Sequence, residues 1–392
     1  MAAAAVLTAG IAAAFHVGKL PPAISTLRAE FGINLIEASY LVSVLQTAAV
    51  VLGVFGGMLA DRFGAKRVMS IGLGLLAAAS LFATFAHSVS MLLATRVFES
   101  FGFMLTVLPG PSLLRRCAPA SLNRWLGFWA AYMPAGMALG LLLTPFLLAA
   151  SGWRSAWWLA SLLSLLVLLA VRFVVPADRS ELRQSTRMSV LLVSTLSAPG
   201  PWLLALGFGC YAGQWMGVFS FLPTIYADAG VAASTGAPLT ALAVVINVIG
   251  NIVGGAVAQK RVPAPWLIIM AAITMMTMAW LAFGSGAGFA MQYLAIVLFS
   301  MFGGLIPGAL FALAPSLAPN SNAVSTTVGL MQQGSAAGQM LAPPLLAAMV
   351  SRAGGWSSTW QVTGAFALGD LLIALLLFRL LAKRSQRVAH AG

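Results

Sequence analysis

Lys19 and Arg96 are cations placed inside apolar runs that hold no other lysine or arginine, and buried cations are suited to holding an anion. At about 1.5 Å per residue, Lys19 lies about 12 Å from the outer end of its segment, beyond the comfortable reach of a lysine stem, so it needs a partner. A charge at that depth costs about 3 kcal/mol on insertion scales. Pro21 and Pro22, just beyond, break the helix and free carbonyls where a cavity can be lined. Two readings stand: Lys19 is a ligand for a substrate anion or the counter-ion of Glu37 or Glu99, or it belongs to a purely structural ion pair. His16, one helical turn earlier on the same face, is either a second ligand or a packing residue. Arg96 and Glu99 stand three apart in RVFESFG, close enough to neutralise each other on one helix face. With Lys19 they form a positive pocket, and a protonatable Glu99 beside it would couple proton movement to anion release.

The elements that must position these groups are transmembrane helices. Of 392 residues, 60% are hydrophobic and 7% charged, which excludes a soluble fold. The 90 residues between Arg261 and Arg352 contain no Asp, Glu, Lys or Arg, enough for at least three spans of about 20 residues. The runs are long and Leu/Ala-rich rather than alternating, which indicates helices and not a barrel. Hydropathy with Pro, Gly and charge punctuation predicts twelve spans, near 5–27, 37–59, 68–86, 91–113, 124–150, 154–175, 200–226, 234–258, 264–284, 289–313, 322–350 and 355–380. The first of these is read as a span rather than a signal peptide, since no basic residue precedes its apolar run.

With both termini cytoplasmic, the inner loops hold sixteen of the 21 basic residues and the outer loops only Arg28, Arg154 and Arg352. That bias explains the net charge of +13 as topology and removes the need for a nucleic-acid partner. The two cysteines, Cys117 and Cys210, and the three histidines form no metal-ligand spacing, and neither metal nor cofactor is implied.

The longest polar segment, Val175 to Pro199, divides the spans six and six. This predicts an N-terminal bundle over 1–175, a cytoplasmic linker over 176–199 and a C-terminal bundle over 200–392. An internal repeat supports the division. At an offset of 198, Gly57 matches Gly255, Pro109-Gly110 matches Pro307-Gly308, Gly136 and Gly140 match Gly334 and Gly338, and Pro145 matches Pro343. Two parallel six-helix halves imply a site at their interface near the bilayer midplane and alternating access by rocking one half against the other.

The loop GGMLADRFGAKRVM, residues 56 to 69, supplies Gly57, Asp61, Arg62, Gly64, Lys66 and Arg67. Gly57 permits close packing, Gly64 a tight turn, and Lys66 and Arg67 an anchor on anionic lipid. A plain positive-inside loop would explain the last two but not an Asp between spaced glycines. In these residues the chain resembles the major facilitator superfamily. The resemblance implies twelve helices in two pseudo-twofold related six-helix bundles, secondary transport without nucleotide hydrolysis, and a conformational gate at Asp61 and Arg62. The second-half copy of the loop has Gln259 where Asp61 stands, which predicts a lost charged latch.

RVFESFG is similar to the family's fourth-helix arginine motif. Gly127, Gly136 and Gly140 keep the spacing of its drug-antiporter motif, but Leu141 and Thr144-Pro145 replace the glycines that should follow, which weakens an efflux reading. GKLPPAISTLRAEFGI, RVFESFGF and YMPAGMALG look like the family's cyanate and nitroimidazole transporter branch.

Tyr132, with Trp129 and Met133, is either cavity-facing or core. In the second half Tyr211, Gln214, Trp215, Asn247, Asn251, Gln332, Gln333 and Gln339 predict a hydrogen-bonding wall, some members of which simply tie helices together. The function expected is proton-coupled movement of a small anion across an inner membrane by a monomer. Lys19, Arg96, His16, Tyr132, Gln214, Trp215, Asn247 and Gln332 would bind substrate, and Glu99 and Glu37 would carry the proton. Drug efflux and a non-transporting receptor are the alternatives.

Overall fold

The computed structural model describes residues 1–55, 63–178, 188–258, 262–320 and 323–391. Among the described residues, ten helices are long and apolar enough to cross a membrane: α1 Ala2–Phe31, α2 Leu35–Phe55, α3 Ala65–Ala83, α4 Val89–Cys117, α5 Arg124–Ser151, α6 Trp153–Val174, α8 Ala233–Ala258, α9 Ala264–Gly284, α10 Phe289–Leu317 and α12 Trp356–Lys383. Two more complete the twelve expected. Helix α7, Pro199–Asp228, follows a short helix, Ser189–Leu196, across a 73° bend. That short helix lies in the segment read from the sequence as a polar linker. Helix α11, Val324–Ala353, has thirty residues but is too polar to pass as a span, with Thr326, Thr327, Gln332, Gln333 and Gln339 on it. It packs on α7 and on α2, and its Gln333 and Gln339 hydrogen-bond to α2.

Four of the repeated glycines, Gly136, Gly140, Gly334 and Gly338, sit at close helix crossings. A Cβ on Gly136 would run into the Ile11 carbonyl of α1, and one on Gly140 into the backbone at Gly18. In the second half Gly334 meets the Ala205 carbonyl of α7 and Gly338 that of Gly209. Backbones this close leave no room for a side chain, which is why the offset preserved glycine.

The two halves also share an end tie. The Trp153 indole donates to Glu30 Oε2 at 2.7 Å, and the Trp356 indole donates to Asp228 Oδ2 at 2.8 Å. The halves meet along α2 and α11, and along α5 and α8. Gln46 Nε2 donates to Gln339 Oε1 at 2.9 Å, Gln333 donates to the Val50 carbonyl, and Gly53 and Gly329 bring the backbones together.

Candidate functional site

Helix α1 is regular only from Ala2 to Gly18; Pro21–Ala23 then tightens into a 3₁₀ turn. Pro21 and Pro22 have no N–H to give to the turn before them, so the helix loosens just past Lys19. Gly18, pressed against the Met137 carbonyl of α5, fixes this stretch in the bundle. Lys19, His16, Arg96 and Glu99 converge there, each at most 1% exposed.

Lys19 Nζ donates to Glu99 Oε1 at 2.6 Å and to Ser80 Oγ of α3 at 2.8 Å, and lies 4.7 Å from the centre of the Trp157 ring of α6. Arg96 donates from Nη1 to Glu99 Oε2 at 2.6 Å and to the His16 carbonyl at 2.9 Å. Its Nε donates to the Leu41 carbonyl of α2 at 3.0 Å. Glu99 therefore stands between two cations, one on each carboxylate oxygen.

His16 Nδ1 is 3.0 Å from Glu99 Oε1 and 3.2 Å from Lys19 Nζ, while Nε2 is 2.9 Å from Ser164 Oγ of α6. Protonated on Nδ1, the ring donates to Glu99 and accepts from Ser164. Protonated on Nε2, it donates to Ser164 and accepts from Lys19. Either tautomer is satisfied, so a proton can change places here without stranding a buried polar group. Counting charge, with Lys19 and Arg96 protonated, Glu99 ionised and His16 neutral, the cluster carries one excess positive charge. Isolated buried charge is expensive, so this excess is unfavourable unless something of opposite charge offsets it.

Among the sequence-derived candidates, Glu37 lies elsewhere. It is exposed at the start of α2, where its side chain accepts from Asn34 N at 2.8 Å while its own N–H donates to Asn34 Oδ1 at 2.9 Å. The span begins two residues earlier than expected, and this reciprocal cap turns the carboxylate toward the helix end. Lys19 is thus paired with Glu99 and not with Glu37.

Tyr132 packs against Trp129 in a tilted arrangement with ring centroids 4.8 Å apart, and the Trp129 ring and the Tyr132 Cβ lie over Gly10 of α1. In the second half, Asn247 Nδ2 donates to Tyr211 Oη at 3.0 Å and to the Ser300 carbonyl at 2.7 Å, and Trp215 Nε1 donates to Ser300 Oγ at 3.1 Å. These bonds tie α7, α8 and α10. Asn251 adds a bond to Asn247 Oδ1 at 2.8 Å. Gln214 reaches Asp370 of α12, and half-buried Gln332 makes no side-chain hydrogen bond among the described residues. Apart from Gln332, the amides are therefore divided between helix ties and the α2–α11 contact.

Gly57, Asp61, Arg62 and Gln259 lie outside the described residues. Next to them, Gly64 has φ +90°, and a Cβ there would collide with the Asp178 carboxylate. Asp178 caps α3, accepting from the Lys66 and Arg67 amides at 3.0 Å each, and pairs with Arg116 Nη1 of α4 at 2.7 Å. Partial burial pushes its carboxyl up, but the Arg116 guanidinium and the two amides outweigh this and hold it below the ordinary carboxylate value. Lys66 Nζ donates to the carbonyls of Arg172 and Val175, closing α3 against α6.

Ser80, Ser164, Trp157 and Asp178 escaped the sequence reading. Hydroxyls and tryptophans are too common in spans to stand out, and Asp178 reads as an ordinary polar-segment acid.

The model for the Major Facilitator Superfamily matches residues 4–333. The chain belongs to the Major Facilitator Superfamily. It is similar to the cyanate transport protein CynX of Escherichia coli, 24% identical over 243 residues, covering 61% of this chain and 62% of that protein. The 3-(3-hydroxy-phenyl)propionate transporter of Escherichia coli is 25% identical over 395 residues, covering 98% and 90%. The methyl viologen resistance protein SmvA of Salmonella typhimurium is 36% identical over 121 residues, 30% of this chain and 24% of that one. The match thus spans under two thirds of CynX and about a quarter of SmvA.

Among solved structures, a bacterial homologue of the human lysosomal transporter Spinster, inward-facing and occupied, superposes with a TM-score of 0.79 at 17% identity, covering 97% of this chain and 96% of that one. The D-xylose-proton symporter gives 0.71 at 15% identity, with 95% of each chain covered. At these identities the likeness is one of fold. The family and the apolar helices make the chain a multi-pass membrane protein.

Proposed function

We propose that this chain moves a small monovalent anion together with a proton across an inner membrane by alternating access, as a monomer with both termini cytoplasmic. The observation that carries the reading is the wholly buried cluster in which Lys19 and Arg96 outnumber Glu99. A proton delivered to Glu99, directly or through His16, releases both cations from the carboxylate and readies them for an anion. Departure of the proton restores the internal pairs and expels the anion. Proton and anion therefore favour each other's binding, which is the requirement of a symporter. Two full-length or majority-coverage relatives named for cyanate and a phenylpropionate, both anions, support this class. The bundle division at 1–175, 176–199 and 200–392 belongs to the same proposal, with the basic loops placed in the cytoplasm.

The test is uptake into proteoliposomes of a panel of small anions and cationic dyes, with and without an inward pH gradient. Saturable uptake of an anion, stimulated by the gradient, is expected. Lys19→Gln and Arg96→Gln should each reduce it at least about 30-fold, the equivalent of about 2 kcal/mol at a buried charge contact. Unchanged anion kinetics in both folded variants, or transport of the dyes alone, would overturn the reading.

A further inference from the structure

Asp370, midway along α12, is wholly buried and takes no part in the cationic cluster. Gln214 of α7, also wholly buried, donates from Nε2 to Asp370 Oδ2 at 2.8 Å. The other two oxygens of the pair, Asp370 Oδ1 and Gln214 Oε1, have no hydrogen-bond partner. No compensating cation is at hand among the described residues. Helix α12 packs against α7, α9 and α11. On α7 the nearby titratable groups are Cys210, whose Sγ lies against the backbone at Gly369, and Tyr211, whose hydroxyl is engaged by Asn247. Helix α9 contains no ionisable side chain, and Arg352 is exposed at the far end of α11. Arg379, on α12 itself, is about 13 Å further along the helix axis.

We propose that Asp370 is a second proton-binding site of the transporter, holding its proton as a carboxylic acid paired with Gln214 and exchanging it when α7 moves against α12. A carboxylate in this position would leave two acceptors without donors and one charge without a partner. One added proton answers all three. Bound to Oδ1 it neutralises the charge, becomes the missing donor, and can turn to Gln214 Oε1 to close a two-point acid–amide pair. The pair depends on the placement of α7, the same helix whose Tyr211 and Trp215 tie the second half together. When α7 shifts, the amide leaves, water reaches the acid, and the proton passes to that water.

The exchange step rests on the proton-coupled reading above; the bound acid does not. The test is infrared spectroscopy of the reconstituted protein at neutral pH, in sodium-containing and sodium-free buffer, together with protons moved per anion in the same vesicles. A protonated-carboxyl band is expected in both buffers, absent from Asp370→Asn, shifted in Gln214→Leu, and reversibly lost at alkaline pH. Asp370→Asn should move fewer protons per anion. The Gln214→Leu shift keeps the proposal testable should Asp370→Asn fail to fold. A wild-type spectrum without the band, a band unaffected by both variants, a band seen only without sodium, or an unchanged proton-to-anion ratio would overturn the proposal. Should the wild type show no acid-driven anion uptake, the coupled reading fails on its own. The band's reversible loss with pH would then uphold the site, and its persistence would reject it.

Discussion

Removing Glu99 and removing one of its cations have opposite effects on the charge of the buried cluster. Glu99→Gln leaves Lys19 and Arg96 facing each other with no carboxylate between them, whereas Lys19→Met leaves Arg96 and Glu99 as a neutral pair. Stranding buried charge costs about 3–5 kcal/mol, so thermal unfolding in detergent should show a much larger fall for Glu99→Gln than for Lys19→Met. Added anion should then raise the unfolding midpoint of Glu99→Gln more than that of the wild type, because the anion replaces the missing carboxylate. An equal loss in the two variants would mean that the excess positive charge is not what the site feels. The four members of the cluster are visible in the sequence because a charge inside an apolar run has few bland explanations. The hydroxyls of Ser80 and Ser164 and the ring of Trp157 are not, since nothing in the chain marks which of many such residues faces a cation. Glu37 misled for a related reason: Asn34 three residues before it writes a capping box, a local signature with a nearer claim on that carboxylate than a distant lysine.

At the scale of the helix, α3 starts from two observations that need each other. Gly64, in a left-handed conformation, leaves room for the Asp178 carboxylate, and Asp178 then caps the Lys66 and Arg67 amides while holding Arg116. Asp178→Asn should cost about 1–2 kcal/mol, the range for a helix cap with a dipole contribution, measured by thermal unfolding. The pH dependence has a fixed sign. A carboxyl held below its ordinary value stabilises the fold fully above the unfolded value of 3.8, and that contribution disappears as pH falls through the lower folded value. The wild type should therefore lose part of its stability on acidification below that range, and Asp178→Asn should lack this part. Equal acid limbs would assign the loss to other carboxylates. The spans could be read from hydropathy with Pro, Gly and charge punctuation, α11 included, and its polar composition is accommodated because it packs on α2 and α7. Helix Met188–Leu196 could not be read at all, since a short apolar stretch following a polar segment resembles a linker with some hydrophobic residues.

Across the whole molecule, an offset of 198 that first appears in glycines and prolines also joins Glu30 to Asp228, and each of these acids receives the indole of a repeated tryptophan, Trp153 or Trp356. The glycines were legible because their spacing survives by itself; the acids were not, because their significance lies in partners more than a hundred residues away. What the repeat builds is a molecule whose halves touch along α2 and α11 through few polar contacts, notably Gln46 with Gln339 and Gln333 with the Val50 carbonyl. In the proposed rocking of one half on the other these contacts would strain or break, whereas the cluster around Glu99 lies inside one half and would persist. Gln46→Cys with Gln339→Cys, in a chain whose Cys117 and Cys210 are replaced by Ser, places two thiols across that seam. Joining them with a short bifunctional thiosulfonate, which forms a reducible disulfide at each cysteine with loss of sulfinate, should stop uptake in proteoliposomes, and reduction should restore it. Either cysteine alone, treated identically, should continue to transport. Binding of the anion, read as a rise in the thermal unfolding midpoint, should survive the cross-link, since it fixes the halves without touching Lys19 or Arg96. Undiminished uptake by the linked protein would show that the α2–α11 seam does not open during the cycle, and movement would then have to be sought at α5 and α8.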